Sequence, residues 1–287
     1  MNTIPFSARA AALLMLFVGI PAGAQMAEGD RQYAMRAEGA QGAHARTETI
    51  DAAIAAYQRA VAANPNDVEA HARLLRAYRF KGAYVASSND AKKQVYGTAK
   101  VAGEKALQLV NRLLLAKGVK ADAPEKTVAE AARAIPGAGE VFLWDAVNWG
   151  EWALAYGKLA AARQGAADRI RRDATIALLI DPRIEGGSPA RVLGRLHDQT
   201  PRIPFLTGWA SSKEAVRFLN ESMKIDPANK LTLVFLAEAM VSNDSSSRPK
   251  AMELLRKAVT TPNNPLLLIE DVAAAEDAKA LLKKWGG

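Results

Sequence analysis

The stretch from Val141 to Gly157 constrains the fold most, because it places three of the chain's five tryptophans in one helical span. At about 100° per residue, one face collects large side chains: Val141, Trp144, Asn148, Trp152, Ala155 and Leu159, with Trp149 and Tyr156 at its margin. The other side carries small residues that let a second backbone approach: Ala146, Gly150, Ala153 and Gly157. Both faces predict a buried helix, with Gly150 against a neighbouring backbone.

Two polar side chains, Asn148 and Glu151, lie close to the aromatic face and would be expensive to bury without partners. Ligand sites combine an apolar wall with a few placed polar groups. We therefore expect this helix to line a ligand cavity, with six contact residues: Trp144, Asn148, Trp149, Glu151, Trp152 and Tyr156. The alternative is that these tryptophans fill an ordinary core, as aromatic stripes at helical spacing usually do.

The rest of the chain predicts helices. Alanine is abundant, and valine, isoleucine and threonine do not form the alternating runs that are typical of strands. The length of 287 residues suffices for a large core or two modest domains. The fold class is therefore all-α.

The spacing of small residues, aromatics and prolines predicts helical hairpins. From Thr49 onward, Ala53, Tyr57, Ala60 and Pro65 have the spacing of the second helix of a tetratricopeptide repeat. The register recurs in three later sets: Ile170, Ala174, Ala177 and Pro182; Leu193, Gly194, Ala215, Leu219 and Pro227; Leu233, Leu236, Ala237, Ala251, Leu255 and Ala258. Residues 80–97 read as an irregular interruption. We predict a degenerate tetratricopeptide-like array over residues 49–287, capped by a C-terminal helix from Asp271 to Trp285.

The N-terminus predicts export. Arg9 precedes an apolar run, Ala11–Ile20, and Ala22-Gly23-Ala24 forms a cleavage site, so residues 1–24 read as a signal peptide and the mature chain begins at Gln25. The apolar run is about half of the roughly 20 residues that a membrane span needs. We expect a soluble periplasmic protein without a transmembrane segment, in which residues 25–48 form a loose N-terminal segment.

Charge and reactive residues exclude several functions. The net charge of +8 falls to +7 on cleavage, because residues 1–24 hold one charged residue, Arg9. Export argues against a nucleic-acid partner, and the basic cluster Arg169, Arg171 and Arg172 reads as a solvated face. The three histidines have no metal-ligand spacing, cysteine is absent, and no nucleotide or nucleophile motif is present. We expect no metal, no cofactor and no catalytic residue.

Two segments resemble the T-component (TatT-like) proteins of tripartite ATP-independent periplasmic (TRAP) transporters. The first is FLWDAVNWGEWA, residues 142–153, and the second is DPRIEGGSPARVLGRL, residues 181–196. The resemblance implies a tetratricopeptide-like array around a bore, which associates with a periplasmic solute-binding protein or another transporter component. The chain lacks the cysteine that tethers many members of this family to the membrane, which favours a freely diffusing form.

Two functions follow from these observations. In the first, a periplasmic, non-enzymatic transport accessory binds an apolar ligand, a lipid or sterol-like molecule, in its bore and passes it to or from a partner. In the second, a tetratricopeptide-type scaffold holds another envelope protein and takes no small molecule. A carrier needs a cavity beside Trp144 and Trp152, whereas a scaffold does not.

Overall fold

The computed structural model describes residues 22–204 and 207–286. Within these ranges the regular elements are helices, which confirms the all-α prediction. In chain order, the α-helices are α1 Ala22–Ala34, α2 Thr47–Ala63, α3 Val68–Tyr84, α4 Asn89–Leu115, α5 Glu125–Ala132, α6 Ala138–Tyr156, α7 Lys158–Arg163, α8 Ala166–Ile180, α9 Ser188–Gln199, α10 Ser212–Ile225, α11 Lys230–Asn243, α12 Arg248–Thr260 and α13 Leu268–Trp285. Two 3₁₀ turns, Ser245–Ser247 and Pro265–Leu267, lead into α12 and α13.

The helices form two layers around a central bore. Helices α1, α3, α6, α8, α9, α11 and the start of α13 contribute side chains to the bore. Helices α2, α4, α10 and α12 pack on the outside of this layer, each against the helix that precedes it in the chain or follows it. The arrangement is the tetratricopeptide-like array of hairpins that the residue spacing predicted.

The residues at the repeat positions are buried where helices pack against each other. Ala53, Tyr57 and Ala60 are fully buried where α2 meets its neighbours. In α9, a Cβ added at Gly194 would lie 2.5 Å from Leu219 Cγ and 3.0 Å from the Ala215 carbonyl oxygen. Glycine at this position therefore lets α9 approach α10 as closely as a helical hairpin of this type requires.

Two segments are more regular than their composition indicated. Residues 25–48 are not loose, because α1 runs to Ala34 and Tyr33 is buried in a cluster with Ile50 and Phe80. The predicted interruption at residues 80–97 is too long, because the chain leaves helical structure there only over residues 85–88. Helix α3 continues to Tyr84, and α4 begins after Ser88, whose hydroxyl accepts a hydrogen bond from the Ala91 amide at 3.1 Å. Such N-terminal caps stabilise a helix start.

The two ends of the array meet. The Arg36 guanidinium, which follows α1, lies 2.9 Å from the Glu270 carboxylate of α13 and also donates to the Leu266 carbonyl oxygen. Ile269 is buried in the same cluster as Tyr33 and Phe80. The array therefore closes into a ring around the bore.

The predicted signal peptide lies largely outside the described residues, since it covers residues 1–24 and the description begins at Ala22. No helix within residues 22–204 and 207–286 combines the length and apolarity that a membrane crossing requires.

Candidate ligand-binding bore

The bore encloses a cavity of about 1120 Å³. Its wall is largely apolar and aromatic, with contributions from Tyr33, Phe80, Tyr84, Trp144 and Phe235. It also carries six arginines, Arg36, Arg73, Arg76, Arg79, Arg191 and Arg195. Nine carboxylic acids complete the charged lining: Asp30, Glu69, Glu140, Glu151, Asp168, Glu185, Asp226, Glu270 and Asp271. An apolar wall with placed charges is typical of a binding site.

Helix α6 presents one continuous stripe to this cavity. Its members recur every three or four residues: Glu140, Trp144, Val147, Glu151 and Leu154. This spacing lies along one helix face. Leu154 is 75% exposed, which is unusual for a leucine of the central helix and follows from its position on the bore. Trp144 and Glu151, two of the six predicted contact residues, line this cavity.

The other four predicted contact residues do not line the bore. Asn148 is buried, and its Nδ2 donates to the carbonyl oxygens of Leu75 at 3.1 Å and Trp144 at 2.8 Å, so its amide joins α6 to α3. Trp149 and Trp152 are buried in a cluster with Ala174. The prediction that Trp144, Asn148 and Trp152 together form the cavity wall is therefore wrong. Trp144 faces the bore, whereas Asn148 and Trp152 pack against neighbouring helices.

An aromatic stack occupies the side of α6 that faces α4. Trp149 and Trp152 meet edge to face at 5.5 Å between ring centroids, and Trp152 stacks on Tyr156 at 4.7 Å. The Lys100 ammonium lies 4.3 Å from the Trp149 centroid and 4.7 Å from that of Trp152. Tyr156 is 42% exposed, and its hydroxyl donates to the Lys93 carbonyl at 3.4 Å. These residues join α4 to α6.

The glycines of α6 differ from their predicted role. A Cβ added at Gly150 would meet no atom within 4 Å, because this residue faces the open bore and not a neighbouring backbone. Gly157 has a φ of +91° and ends α6, a conformation that side chains disfavour. Close approaches to this helix occur instead at Gly139, where an added Cβ would lie 2.6 Å from Ile184 Cδ1, and at Gly103 of α4, where it would overlap the carboxylate of Asp145.

Two of the three arginines in the predicted basic face contribute to the fold. Arg169 Nε lies 3.2 Å from Asp145 Oδ2, and the Arg169 guanidinium covers Trp149 at 4.5 Å. Arg172 pairs with Glu125 at 3.2 Å and donates to two carbonyl oxygens of the segment before α5. The solvated-face prediction is therefore wrong for Arg169 and Arg172, since both join neighbouring helices.

Sequence reasoning missed a group of arginines in the bore, which we call the arginine group: Arg76 and Arg79 of α3 and Arg191 of α9. Arg76 and Arg191 both contact Glu185, whereas Arg79 lies nearest to Glu151, at 3.7 Å. Arg76 Nη1 lies 3.3 Å from Glu185 Oε1, and Arg191 Nη2 is 3.5 Å from the Glu185 carbonyl oxygen. The signal that could have found the group is the α3 spacing of Arg76 and Arg79, which places both guanidiniums on one face.

A strained turn holds Glu185 in place. Glu185 has a φ of +47°, and it is followed by Gly186 and Gly187 at +63° and +81°. A non-glycine residue in this region costs energy and is often found at functional sites. The turn precedes α9, so the backbone conformation fixes the approach of Arg191 to Glu185. Gly187 occupies the N-cap position of α9.

Comparisons with known proteins show only distant similarity. No protein-family model matches the chain, and no curated protein sequence is significantly similar to it. Among solved structures, the TPR2AB domain of yeast Sti1 in a complex named for pHSP90 aligns with a TM-score of 0.32 and 15% identity, over 93% of this chain and 98% of that one. Yeast Tom70 aligns with a TM-score of 0.29 and 13% identity, over 95% of this chain and 67% of that one. TM-scores this low support no inference about function.

Proposed function

We propose that this protein is a non-enzymatic binding protein that holds its partner molecule in the bore of the helical ring. One observation carries the proposal: a closed ring leaves about 1120 Å³ open beside Trp144 and Glu151. Repeat arrays of this type use their concave surface for binding. The bore holds no arrangement of nucleophile, base and orienting group that would point to catalysis among the described residues.

One occupant is an extended segment of another protein, which makes the chain an interaction scaffold of the tetratricopeptide type. The cavity of about 1120 Å³ lies at the large end of the range for ligand sites, and repeat arrays present such concave surfaces to extended partners. The arginines and carboxylates of its wall can pair with the side chains and backbone of such a segment. The envelope location and a partner from a transport system rest on the sequence resemblance and the N-terminal signal.

The second occupant is an elongated amphiphile, which makes the chain a carrier. The α6 stripe supports this function, because Trp144, Val147 and Leu154 offer apolar surface to the bore while Glu140 and Glu151 lie beside it. A lipid or sterol-like ligand with a polar end would match this division. The carrier and the scaffold use the same cavity and differ in what fills it.

Photo-crosslinking separates the two occupants. A photoreactive amino acid at Leu154 lies in the bore, whereas the same group at Val101, which is 53% exposed on the outer helix α4, serves as the matched control. We expect adducts at Leu154 and none at Val101. A protein adduct identifies the scaffold, and a small-molecule adduct, checked by mass spectrometry of an organic extract, identifies the carrier. Equal labelling at both positions would contradict the proposed use of the bore.

A further inference from the structure

We infer that the arginine group is an anion subsite, where Arg76, Arg79 and Arg191 bind the carboxylate of an elongated amphiphile whose apolar body lies along Trp144, Val147 and Leu154. The inference rests on the proposed function and names the ligand class that the bore takes. Four observations support it: the charge of Arg191, the free donors of Arg76 and Arg79, the position of Glu185, and the balance of charge over the whole bore.

Arg191 lacks an acidic partner among the described residues. Its guanidinium donates only to neutral oxygens, namely the Thr232 hydroxyl at 3.2 Å and the carbonyls of Gly186 and Glu185 at 3.5 Å. Arg195, one turn further along α9, is in contrast paired with Glu238 at 2.8 Å and Asp198 at 3.3 Å. The charge of Arg191 is therefore available to a ligand.

The surroundings of Arg191 disfavour its uncompensated positive charge. Burial, followed by the positive charge of Arg79, lowers the pKa of Arg191 to about 10, while Glu185 and Asp226 act in the opposite direction. The Arg191 guanidinium is still a cation at neutral pH. A partly buried cation beside another cation is costly without a counter-charge. A bound carboxylate supplies that counter-charge.

The two arginines of α3 add free donors. Arg76 Nε and Arg79 Nε are buried and have no hydrogen-bond partner among the described residues. Arg79 Nε is 3.7 Å from Glu151 Oε1, which is too long for a hydrogen bond. Aromatic rings hold the guanidiniums in place, since Arg76 lies 4.2 Å from the Tyr33 centroid and Arg79 lies 5.0 Å from that of Tyr84. Guanidinium groups that are fixed in this way suit a planar carboxylate.

Glu185 places the donors side by side. Its carboxylate contacts Arg76 and its carbonyl accepts from Arg191, so these two guanidiniums flank one residue of the strained turn. Glu185 neutralises one charge of the group, and Glu151 offsets Arg79 only at 3.7 Å. Arg191 is then the member of the group that has no carboxylate within salt-bridge distance among the described residues, and one bound carboxylate would pair with it.

The remaining lining restricts the ligand to a single anionic group. The bore has nine carboxylic acids and six arginines, so it repels a polyanion as a whole. An anion is favoured only at the arginine group. The ligand that fits has one carboxylate and an apolar body long enough to follow the α6 stripe.

Titration with two compounds of equal chain length tests the inference. Dodecanoate and 1-dodecanol share an apolar body and differ in the head group, and calorimetry at pH 8 gives both affinities for the full mature chain. We expect the wild type to prefer dodecanoate by about tenfold or more, since hydrogen bonds to charged groups are the stronger kind. Arg191→Met should abolish this preference and leave the affinity for 1-dodecanol unchanged. Arg217→Met, on the exposed face of α10, removes the same charge outside the bore and should keep the preference.

The other possible outcomes of the titration distinguish failure of the anion subsite from failure of the bore as a binding site. Equal affinity of the wild type for both compounds would overturn the anion subsite and leave the bore as the binding site. Loss of the preference in Arg217→Met as well would attribute it to net charge and would also overturn the subsite. Binding of neither compound would overturn the subsite and the carrier together, while a protein crosslink at Leu154 would still support the scaffold. The comparison of the two compounds needs no variant, so it stands even if Arg191→Met fails to fold.

Discussion

Asp145 and Asp173 are two buried carboxylates that share one cation. Arg169 Nε lies 3.2 Å from Asp145 Oδ2 and 3.9 Å from Asp173 Oδ2. Asp145 Oδ1 and Asp173 Oδ2 are buried and have no hydrogen-bond partner among the described atoms. Burial, then the negative charge of Asp145, raises the pKa of Asp173 well above its usual range. Burial also raises the pKa of Asp145, whereas the positive charge of Arg169 lowers it. The pair therefore retains a proton where exposed aspartates have lost theirs.

This pair makes stability depend on pH. A carboxyl group whose pKa is raised by folding stabilises the folded state at low pH, and that stability is lost as pH rises from the unfolded pKa through the folded one. Asp173→Asn keeps the neutral form at every pH. We expect its thermal midpoint to exceed that of the wild type increasingly as pH rises. Asp122→Asn, at an exposed site, should follow the wild-type profile. Parallel profiles for wild type and Asp173→Asn would show that the pair does not hold a proton.

The open face at Gly150 predicts a stabilising substitution. Glycine within a helix costs about 1 kcal/mol relative to alanine, and the new methyl group would meet nothing within 4 Å. Gly150→Ala should therefore raise the free energy of unfolding by up to about 1 kcal/mol. Gly103→Ala is the matched control and should destabilise, because its Cβ would overlap the Asp145 carboxylate. Chemical denaturation measures both. A destabilised Gly150→Ala would place a neighbour where the structure has open space.

The tryptophans of α6 should differ in their effect on stability. Trp152 is 4% exposed and lies in an aromatic cluster, so Trp152→Ala should cost about 3 to 5 kcal/mol through lost contacts and the void it leaves. Trp144 faces the bore on one side, and Trp144→Ala should cost clearly less. Urea denaturation of the two variants gives the comparison. An equal or larger cost at Trp144 would mean that the cavity beside it is filled.

The helical array could be predicted from the sequence, whereas the orientation of α6 could not. Hairpins follow from local spacing, as Ala53, Tyr57 and Gly194 show. On α6, the stripe that contains Trp144 and Glu151 and the stripe that contains Asn148 and Trp152 are adjacent, and both look amphipathic. Which stripe faces the bore depends on partners far away in the chain, such as the Leu75 carbonyl that binds Asn148 and the Lys100 ammonium that covers Trp152.

The arginine group could not be predicted from the sequence for a related reason. Arg191 is separated from Arg76 by 115 positions, and each lies in a polar segment that reads as surface. Their association depends on the placement of α3 and α9 around the same bore and on the strained conformation of Glu185, neither of which periodicity reveals. The double glycine at residues 186–187 forms the turn, but nothing in its sequence indicates which side chain the turn presents to the bore.

Export makes a separate prediction. If the signal is cleaved after Ala24, the purified mature protein begins at Gln25, and its intact mass corresponds to residues 25–287. N-terminal sequencing checks the position. A product that still carries residues 1–24 would contradict the proposed periplasmic location.

The contact between Arg36 and Glu270 should be important for stability. Their side chains are 8% and 16% exposed, and removing one partner of a buried pair leaves an uncompensated charge, at a cost of roughly 3 kcal/mol. We expect Glu270→Gln to lower the free energy of unfolding by this order. Glu221→Gln, in a pair with Arg217 on the surface, should have no measurable effect. A Glu270→Gln variant as stable as wild type would show that this contact contributes little.

The same contact bears on how the protein unfolds. In an open solenoid each repeat touches only its neighbours, so the terminal repeats fray first and partly unfolded states are populated. Here the first and last hairpins are each other's neighbours, and neither end of the array is free to peel away alone. Unfolding should therefore be a single cooperative transition despite the repeat architecture. In Glu270→Gln, hydrogen exchange in α1 and α13 should accelerate before that in α6.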